Sequence, residues 1–169
     1  MNGLAQTGYC AAKQEYFHGV REHLVFTPAG MLAFQVQLPG NAHDVQGLYA
    51  LLDSTFRGTL LGDNAYTPRA EKREELGKHG IRIHATPKKN AKLPLAPSLL
   101  EWQRHNRAPV ERRIALFDNQ FHAHRTLNRS ERHYRARRAF KQLGHNCSRH
   151  ANATLCRPIH SVAHFNAAA

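Results

Sequence analysis

The alternation of hydrophobic and polar positions early in the chain predicts two β-strands joined by a turn. Val20 and His23–Phe26 form the first candidate strand, and Phe34–Leu38 alternates apolar residues with two glutamines in the second. The segment Thr27–Gly30 between them has proline at its second position and glycine at its fourth, as many β-turns do. The pattern therefore predicts an antiparallel hairpin.

Further along the chain the spacing of apolar residues changes from strand-like to helical and back. One face of a predicted helix is formed by Val45, Leu48, Leu52 and Phe56. A short buried strand, Thr59–Gly62, then leads directly to Asp63. Thr67 and Pro68 are typical of a helix N-cap and first helical residue, so a second helix is predicted from there to Lys78. Alternation over Ile81–Ala85 predicts one more strand.

The second half of the chain is less regular. A helical stretch begins at Leu99, and Pro109 is expected to start a new helix, with Glu111 at the edge of its apolar face. The segment Arg125–Lys141 is strongly basic, and after Gly144 the pattern dissolves. We therefore expect an irregular C-terminal tail.

The net charge of the chain says more about its function than its overall composition does. The 169 residues suit one domain, but 24 Lys and Arg face 12 acids, for a net charge of +12. This balance favours a polyanionic partner, with nucleic acid first and an anionic membrane surface second. No apolar run approaches the ~20 residues of a membrane span. The N-terminus lacks a signal-peptide pattern, and three scattered cysteines are typical of free thiols in a cytosolic protein.

Two acids stand where they could serve metal-dependent phosphoryl transfer. This chemistry needs carboxylates that converge on divalent ions about 3.5–4 Å apart. Asp63 follows a predicted strand, and Glu111 lies on a predicted helix. From the residues alone, Asp63 is equally a turn former or helix cap, and Glu111 beside three arginines is equally a solvated ion pair.

Five segments, taken in order, resemble a known family. They are Lys13–Leu24 (KQEYFHGVREHL), Pro39–Asp44 (PGNAHD), Gly62–Tyr66 (GDNAY), Gly80–Asn90 and Arg107–Glu111. Together they are similar to the conserved segments of bacterial insertion-sequence DDE transposases. In that family, the third segment carries the second catalytic Asp, and the last carries the Arg and Glu of a Tyr-Arg-Glu-Lys signature.

The resemblance implies an α/β fold: an RNase H-like (retroviral-integrase-type) mixed sheet with helices, its first strand missing. It divides the chain into an N-terminal remnant (1–12), a partial catalytic domain (13–125) and a basic tail (126–169). By the same resemblance Asp63 and Glu111 are the second and third catalytic carboxylates and hold Mg²⁺ or Mn²⁺. The family's first Asp has no counterpart, since no acid precedes Glu15. DNA contacts are expected from Lys88, Lys89, Lys92, Arg104 and Arg107.

The signature itself departs from the family at two positions. Arg104 stands where the family has its Tyr, and Asp118 stands where it has its Lys. A carboxylate at the latter position would repel phosphate.

The resulting expectation is an N-terminally truncated, catalytically defective DDE transposase. Two alternatives remain: an active transposase with a carboxylate from elsewhere, and a non-enzymatic basic nucleic-acid-binding protein. The expected partner is DNA, both the ends of the insertion sequence and the target DNA. No membrane partner is expected, and a homo-oligomer is compatible with this expectation. The expected location is the bacterial cytoplasm, in association with the nucleoid.

Overall fold

The structure is a computed structural model that describes residues 3–11, 13–87, 96–123 and 128–158. Its strands are β1 (Gln6–Cys10), β2 (Glu15–Phe26), β3 (Leu32–Pro39), β4 (Gly58–Gly62) and β5 (Ile81–Ala85). Its helices are α1 (Asp44–Tyr49), α2 (Ala70–Lys78), α3 (Pro97–Phe121) and α4 (Glu131–Thr154), with a 3₁₀ turn at Asn64–Tyr66. No helix within these ranges is long and apolar enough to cross a lipid bilayer.

A three-stranded sheet has the order β1-β2-β3. Strand β1 runs antiparallel to β2, with Tyr9 opposite Tyr16. The predicted turn between β2 and β3 is present, because the Gly30 amide donates to the Thr27 carbonyl at 2.8 Å. Gly30 has φ +82°, a conformation that suits glycine. Both predicted strands are therefore confirmed, although β2 begins earlier than the pattern indicated.

The β4–α2–β5 segment forms a parallel strand pair with a helix in the connection. Leu60 of β4, Leu76 of α2 and Ile81 of β5 are all buried, which explains why these elements were visible as apolar positions. Helix α2, however, begins at Ala70 rather than at Pro68. Thr67 does not cap it, since the residue before a proline favours extended backbone and the Thr67 hydroxyl donates to Asn64 O at 2.9 Å.

The contacts divide the chain into two compact units. Unit 1 comprises the described parts of Met1–Leu4, Leu24–Gln35 and Val110–Ala169, and unit 2 comprises Ala5–His23 and Val36–Pro109. Leu32, Phe117 and Ala123 form a buried cluster in unit 1. In the described part of unit 2 the buried apolar residues are Leu48, Leu51, Leu60, Leu76 and Ile81.

Helix α3 corrects the expectation that Pro109 starts a new helix. The helix is continuous from Pro97 to Phe121 and contains Pro109 in its interior. A proline there removes one backbone hydrogen bond without necessarily ending a helix, and long helices often bend at such a point. Pro109 is also the last residue of unit 2 along α3.

The expected irregular tail is wrong for residues 131–154, which form helix α4. Its N-cap is Ser130, whose hydroxyl accepts from the His133 amide at 3.3 Å. The face that α4 buries is largely polar and consists of Tyr134, Arg138, His145, Arg149 and Asn152. An analysis of apolar spacing could not detect this helix, because most of its buried positions are not hydrophobic.

Three polar side chains of α4 make hydrogen bonds to backbone groups of the β2–β3 turn and of the first residue of β3. The Arg149 guanidinium donates to Ala29 O at 2.7 Å, and His145 Nε2 lies 3.0 Å from Gly30 O. Asn146 bonds both backbone groups of Leu32, at 2.8 Å to its amide and 3.1 Å to its carbonyl. The helix therefore fixes the turn by hydrogen bonds rather than by apolar contact.

The mixed α/β class is confirmed. The strands of the described residues belong to one sheet of three and one of two. The expected RNase H-like mixed sheet stays a prediction.

Candidate active site

Asp63 follows β4 immediately, at the carboxyl end of the parallel pair. Its Oδ1 accepts a hydrogen bond from the Ala65 amide at 2.9 Å, which makes Asp63 the N-cap of the 3₁₀ turn. Among the described residues, its second oxygen makes no hydrogen bond. Asp63 is thus the turn former that residue statistics favour, and it still has an oxygen available for another ligand.

The 3₁₀ turn ends at Tyr66, whose hydroxyl lies 2.7 Å from Nδ1 of His23. The two rings also meet edge to face, with centroids 5.7 Å apart. His23 is only 5% exposed, and burial is the main reason that its pKa is lowered, with Asp44 opposing the shift. Burial likewise raises the pKa of Tyr66, and the charges of Asp44 and Asp63 add to the effect. Both side chains are therefore neutral near pH 7.

An ion pair joins β2 to the first residue of α1. Arg21 Nη1 lies 2.7 Å from Oδ1 of Asp44, and both side chains are partly buried. The same guanidinium donates to Tyr9 O at 3.2 Å and to Gly40 O at 3.4 Å. Arg21 thereby links β1, β2 and the Pro39–Asp44 corner.

Sequence reasoning missed these partnerships, although it singled out the segments that contain them. His23 lies in the first of these segments and is buried. The signal that was available was the opposite charge of Arg21 and Asp44 in two of the segments that resemble the family.

Glu111 is exposed on α3 and belongs to unit 1, whereas Asp63 belongs to unit 2. Their convergence on one metal stays a prediction. Within the described ranges there is no group of three or more His, Cys, Asp or Glu side chains arranged to hold a metal ion. The oxygen ligands of the two acids nevertheless suit Mg²⁺, which retains several waters and needs few carboxylates.

The basic residues that are candidates for contact with phosphate fall into three groups. Arg104 and Arg107 are exposed on α3, three positions apart and hence on one side of the helix. Lys88, Lys89 and Lys92 lie outside the described residues. On α4 the basic run divides by burial: Arg132 and Arg137 are among its exposed residues, while Arg138 is buried.

Arg138 has a structural role in unit 1. It donates to Ala123 O at 2.6 Å and covers the Phe117 ring at 5.2 Å. Lys141 donates to His122 O at 2.7 Å. These two cations therefore join α4 to the two residues that follow α3.

The fold is that of an α/β domain with a carboxylate at the carboxyl end of a parallel strand pair, the edge at which open α/β sheets bind their ligands. Comparison with protein families identifies the family of this domain, because a family model described as "Transposase DDE domain" matches residues 3–147. The chain belongs to this family. Its general function is thus DNA transposition, a form of recombination that acts on DNA.

The match runs from before β1 into α4. No curated protein and no solved structure matched the chain.

Proposed function

We propose that this chain is the catalytic domain of an insertion-sequence transposase, with Asp63 and Glu111 as two of its metal-holding carboxylates. The observation that carries the proposal is the position of Asp63 directly after β4, with one oxygen fixed by the Ala65 amide. The other oxygen has no hydrogen bond within the described residues, so it can serve as a ligand. Glu111 is assigned by its place four residues after Arg107, as in the family's signature.

The proposed chemistry is strand cleavage and joining at DNA phosphates. Bound Mg²⁺ or Mn²⁺ supplies activation of the attacking oxygen and charge stabilisation at the leaving oxygen. The carboxylates of Asp63 and Glu111 would hold these ions. Arg104 and Arg107 would contact phosphates, and Lys88, Lys89 and Lys92 would add further contacts.

We further propose that residues 1–169 alone do not cleave DNA detectably. The first acid of the chain is Glu15, and β1 contains none. In the family, the first Asp lies on a strand before the segment that matches Lys13–Leu24 and would be a further ligand of the ions. Without it the ions would be bound weakly and placed loosely, and a misplacement of about 1 Å can cost on the order of a hundredfold in rate.

DNA binding without catalysis is the second candidate function, and the charge favours it. A net charge of +12 with exposed Arg132 and Arg137 supports phosphate contact that needs no metal. The two proposals differ in one respect: only the first requires divalent metal to bind at Asp63.

Manganese binding tests the site directly. We expect Asp63→Ala and Glu111→Ala each to weaken Mn²⁺ binding at least about tenfold, since even the loss of an outer-shell partner costs about 10–100-fold. Free Mn²⁺ can be measured by electron paramagnetic resonance during titration of the full chain. The matched controls are Asp53→Ala, which removes an exposed carboxylate ten residues before Asp63, and Glu101→Ala, which removes one from α3, the helix that carries Glu111. Equal affinity in all five proteins would leave DNA binding without a metal site as the function.

A nicking assay on supercoiled plasmid tests the catalytic defect. We expect no Mg²⁺- or Mn²⁺-dependent nicking by the unmodified chain, even on the ends of its own element. Robust nicking that disappears in both Asp63→Ala and Glu111→Ala would show that the site is complete and that its third carboxylate lies elsewhere.

A further inference from the structure

We infer that Tyr66 and His23 are positioning residues that fix the carboxylate of Asp63. This inference rests on the proposed role of Asp63 in metal binding. Tyr66 lies three residues after Asp63, at the end of the 3₁₀ turn that Asp63 caps. His23 lies on β2, far away in the sequence but bonded to Tyr66.

The turn that carries Asp63 is held by few bonds of its own. The Ala65 amide donates to Asp63 Oδ1 at 2.9 Å, and the Tyr66 amide donates to Asp63 O at a longer 3.2 Å. A 3₁₀ turn of three residues has weak hydrogen-bond geometry and needs support from the surrounding structure. A displacement of Tyr66 would therefore be transmitted to the Ala65 amide and from there to the carboxylate.

The support comes from the far end of the Tyr66 side chain. Its hydroxyl lies 2.7 Å from His23 Nδ1, and the other ring nitrogen of His23 is buried without a hydrogen-bond partner in the described residues. The bond to Tyr66 is thus the one hydrogen bond that the His23 ring makes there. Near Asp63, a Cβ built on Gly62 would lie 3.2 Å from the Cβ of Tyr66, so Tyr66 packs closely on the last residue of β4.

His23 is itself held in place. A Cβ built on Gly47 would lie 2.6 Å from His23 Nδ1 and would overlap Cγ and Cδ2, so the ring is packed against the backbone of α1. Beside it, the charges of Arg21 and Asp44 are paired with each other at 2.7 Å. The chain of contacts therefore runs from the backbone of α1 through His23 and Tyr66 to the amide that holds Asp63.

The test compares Tyr66→Phe with Tyr49→Phe in the full chain. Tyr66→Phe removes only the hydroxyl, whereas Tyr49→Phe makes the same change on α1 at a hydroxyl with no hydrogen bond in the described residues. We expect Tyr66→Phe to weaken Mn²⁺ binding roughly tenfold, the lower end of the effect of outer-shell partners. Tyr49→Phe should bind Mn²⁺ as the unmodified chain does.

Hydrogen exchange of single amides, measured without metal, separates positioning from general stability. In Tyr66→Phe the Ala65 amide should exchange at least about tenfold faster, because its acceptor is no longer held, while the Leu60 amide of β4 keeps its rate. A merely structural role would raise both rates together. His23→Gln, which can keep a side-chain bond to Tyr66, should restore most of the protection that His23→Ala loses.

The outcomes distinguish this inference from the proposed function. If Asp63→Ala abolishes Mn²⁺ binding but Tyr66→Phe changes neither binding nor Ala65 exchange, the positioning role is wrong and the metal site stands. If Asp63→Ala binds Mn²⁺ as the unmodified chain does, the metal site and the inference built on it both fail.

Discussion

Replacing Gly47 with alanine should destabilise unit 2, although alanine normally stabilises a helix. Gly47 lies inside α1, where the exchange of glycine for alanine is usually worth about 0.5–1 kcal/mol in favour of alanine. Here the new methyl would overlap the His23 ring. Overpacking of this kind costs about 1–3 kcal/mol, and displacement of the ring also breaks its bond to Tyr66, worth about 1 kcal/mol. The net expectation is a loss of about 1–3 kcal/mol in the free energy of unfolding.

Gly77→Ala is the matched control. Gly77 lies in α2, and a Cβ there would meet nothing within 4 Å. This variant should gain up to about 1 kcal/mol. Urea unfolding followed by fluorescence is a suitable assay, because the single tryptophan, Trp102, belongs to unit 2 and contacts His84.

The refuting result is equal stabilisation by the two substitutions. It would mean that the His23 ring moves away from α1 at no cost. The double variant Gly47→Ala/His23→Ala checks the cause, because removal of the ring should make the added methyl harmless. The two substitutions should therefore be strongly non-additive.

Three further predictions concern pH, salt and capping. His23 and His145 have lowered pKa values in the folded chain, so stability should be full above their ordinary pKa of 6.5 and fall as the pH drops below it. Melting temperatures from about pH 7.5 to about pH 5.5 should show this fall, and it should be smaller in His23→Asn/His145→Asn. Changing Lys88, Lys89 and Lys92 together to alanine should flatten the slope of log DNA affinity against log salt; an unchanged slope would mean that these lysines do not touch phosphate. Ser130→Ala should cost about 1 kcal/mol by removing the N-cap of α4, as measured by urea unfolding followed by circular dichroism.

The elements that could be predicted from the sequence are those whose buried positions are apolar. Strands β4 and β5 pair in parallel and bury Leu60 and Ile81, so their apolar residues marked them clearly. The turn at Thr27–Gly30 was predictable from proline and glycine alone. The residues of such strands and turns determine their structure locally, so these elements can be predicted from short stretches of sequence.

Helix α4 could not be predicted in this way because its buried residues form hydrogen bonds instead of an apolar core. Arg149 and His145 are buried, and each binds a backbone carbonyl of a turn more than 100 positions earlier in the chain. Their partners are not visible in any local pattern. A charged or polar residue at helical spacing is ordinarily a solvated position, and only the tertiary contact reverses that expectation.

The candidate site likewise combines a feature that local sequence predicts with contacts between distant residues that it does not predict. The position of Asp63 directly after β4 could be predicted from the apolar strand before it, whereas the pairing of His23 with Tyr66 across 43 positions could not. Yet Arg21, His23, Asp44 and Tyr66 all lie in segments that resemble the family, and none is one of its catalytic carboxylates. The hydrogen bond between His23 and Tyr66 supports the turn that carries Asp63, and the Arg21–Asp44 ion pair joins β2 to the first residue of α1. On the proposed positioning role, a lack of cleavage by this chain would point to an incomplete set of carboxylates rather than to a misplaced Asp63.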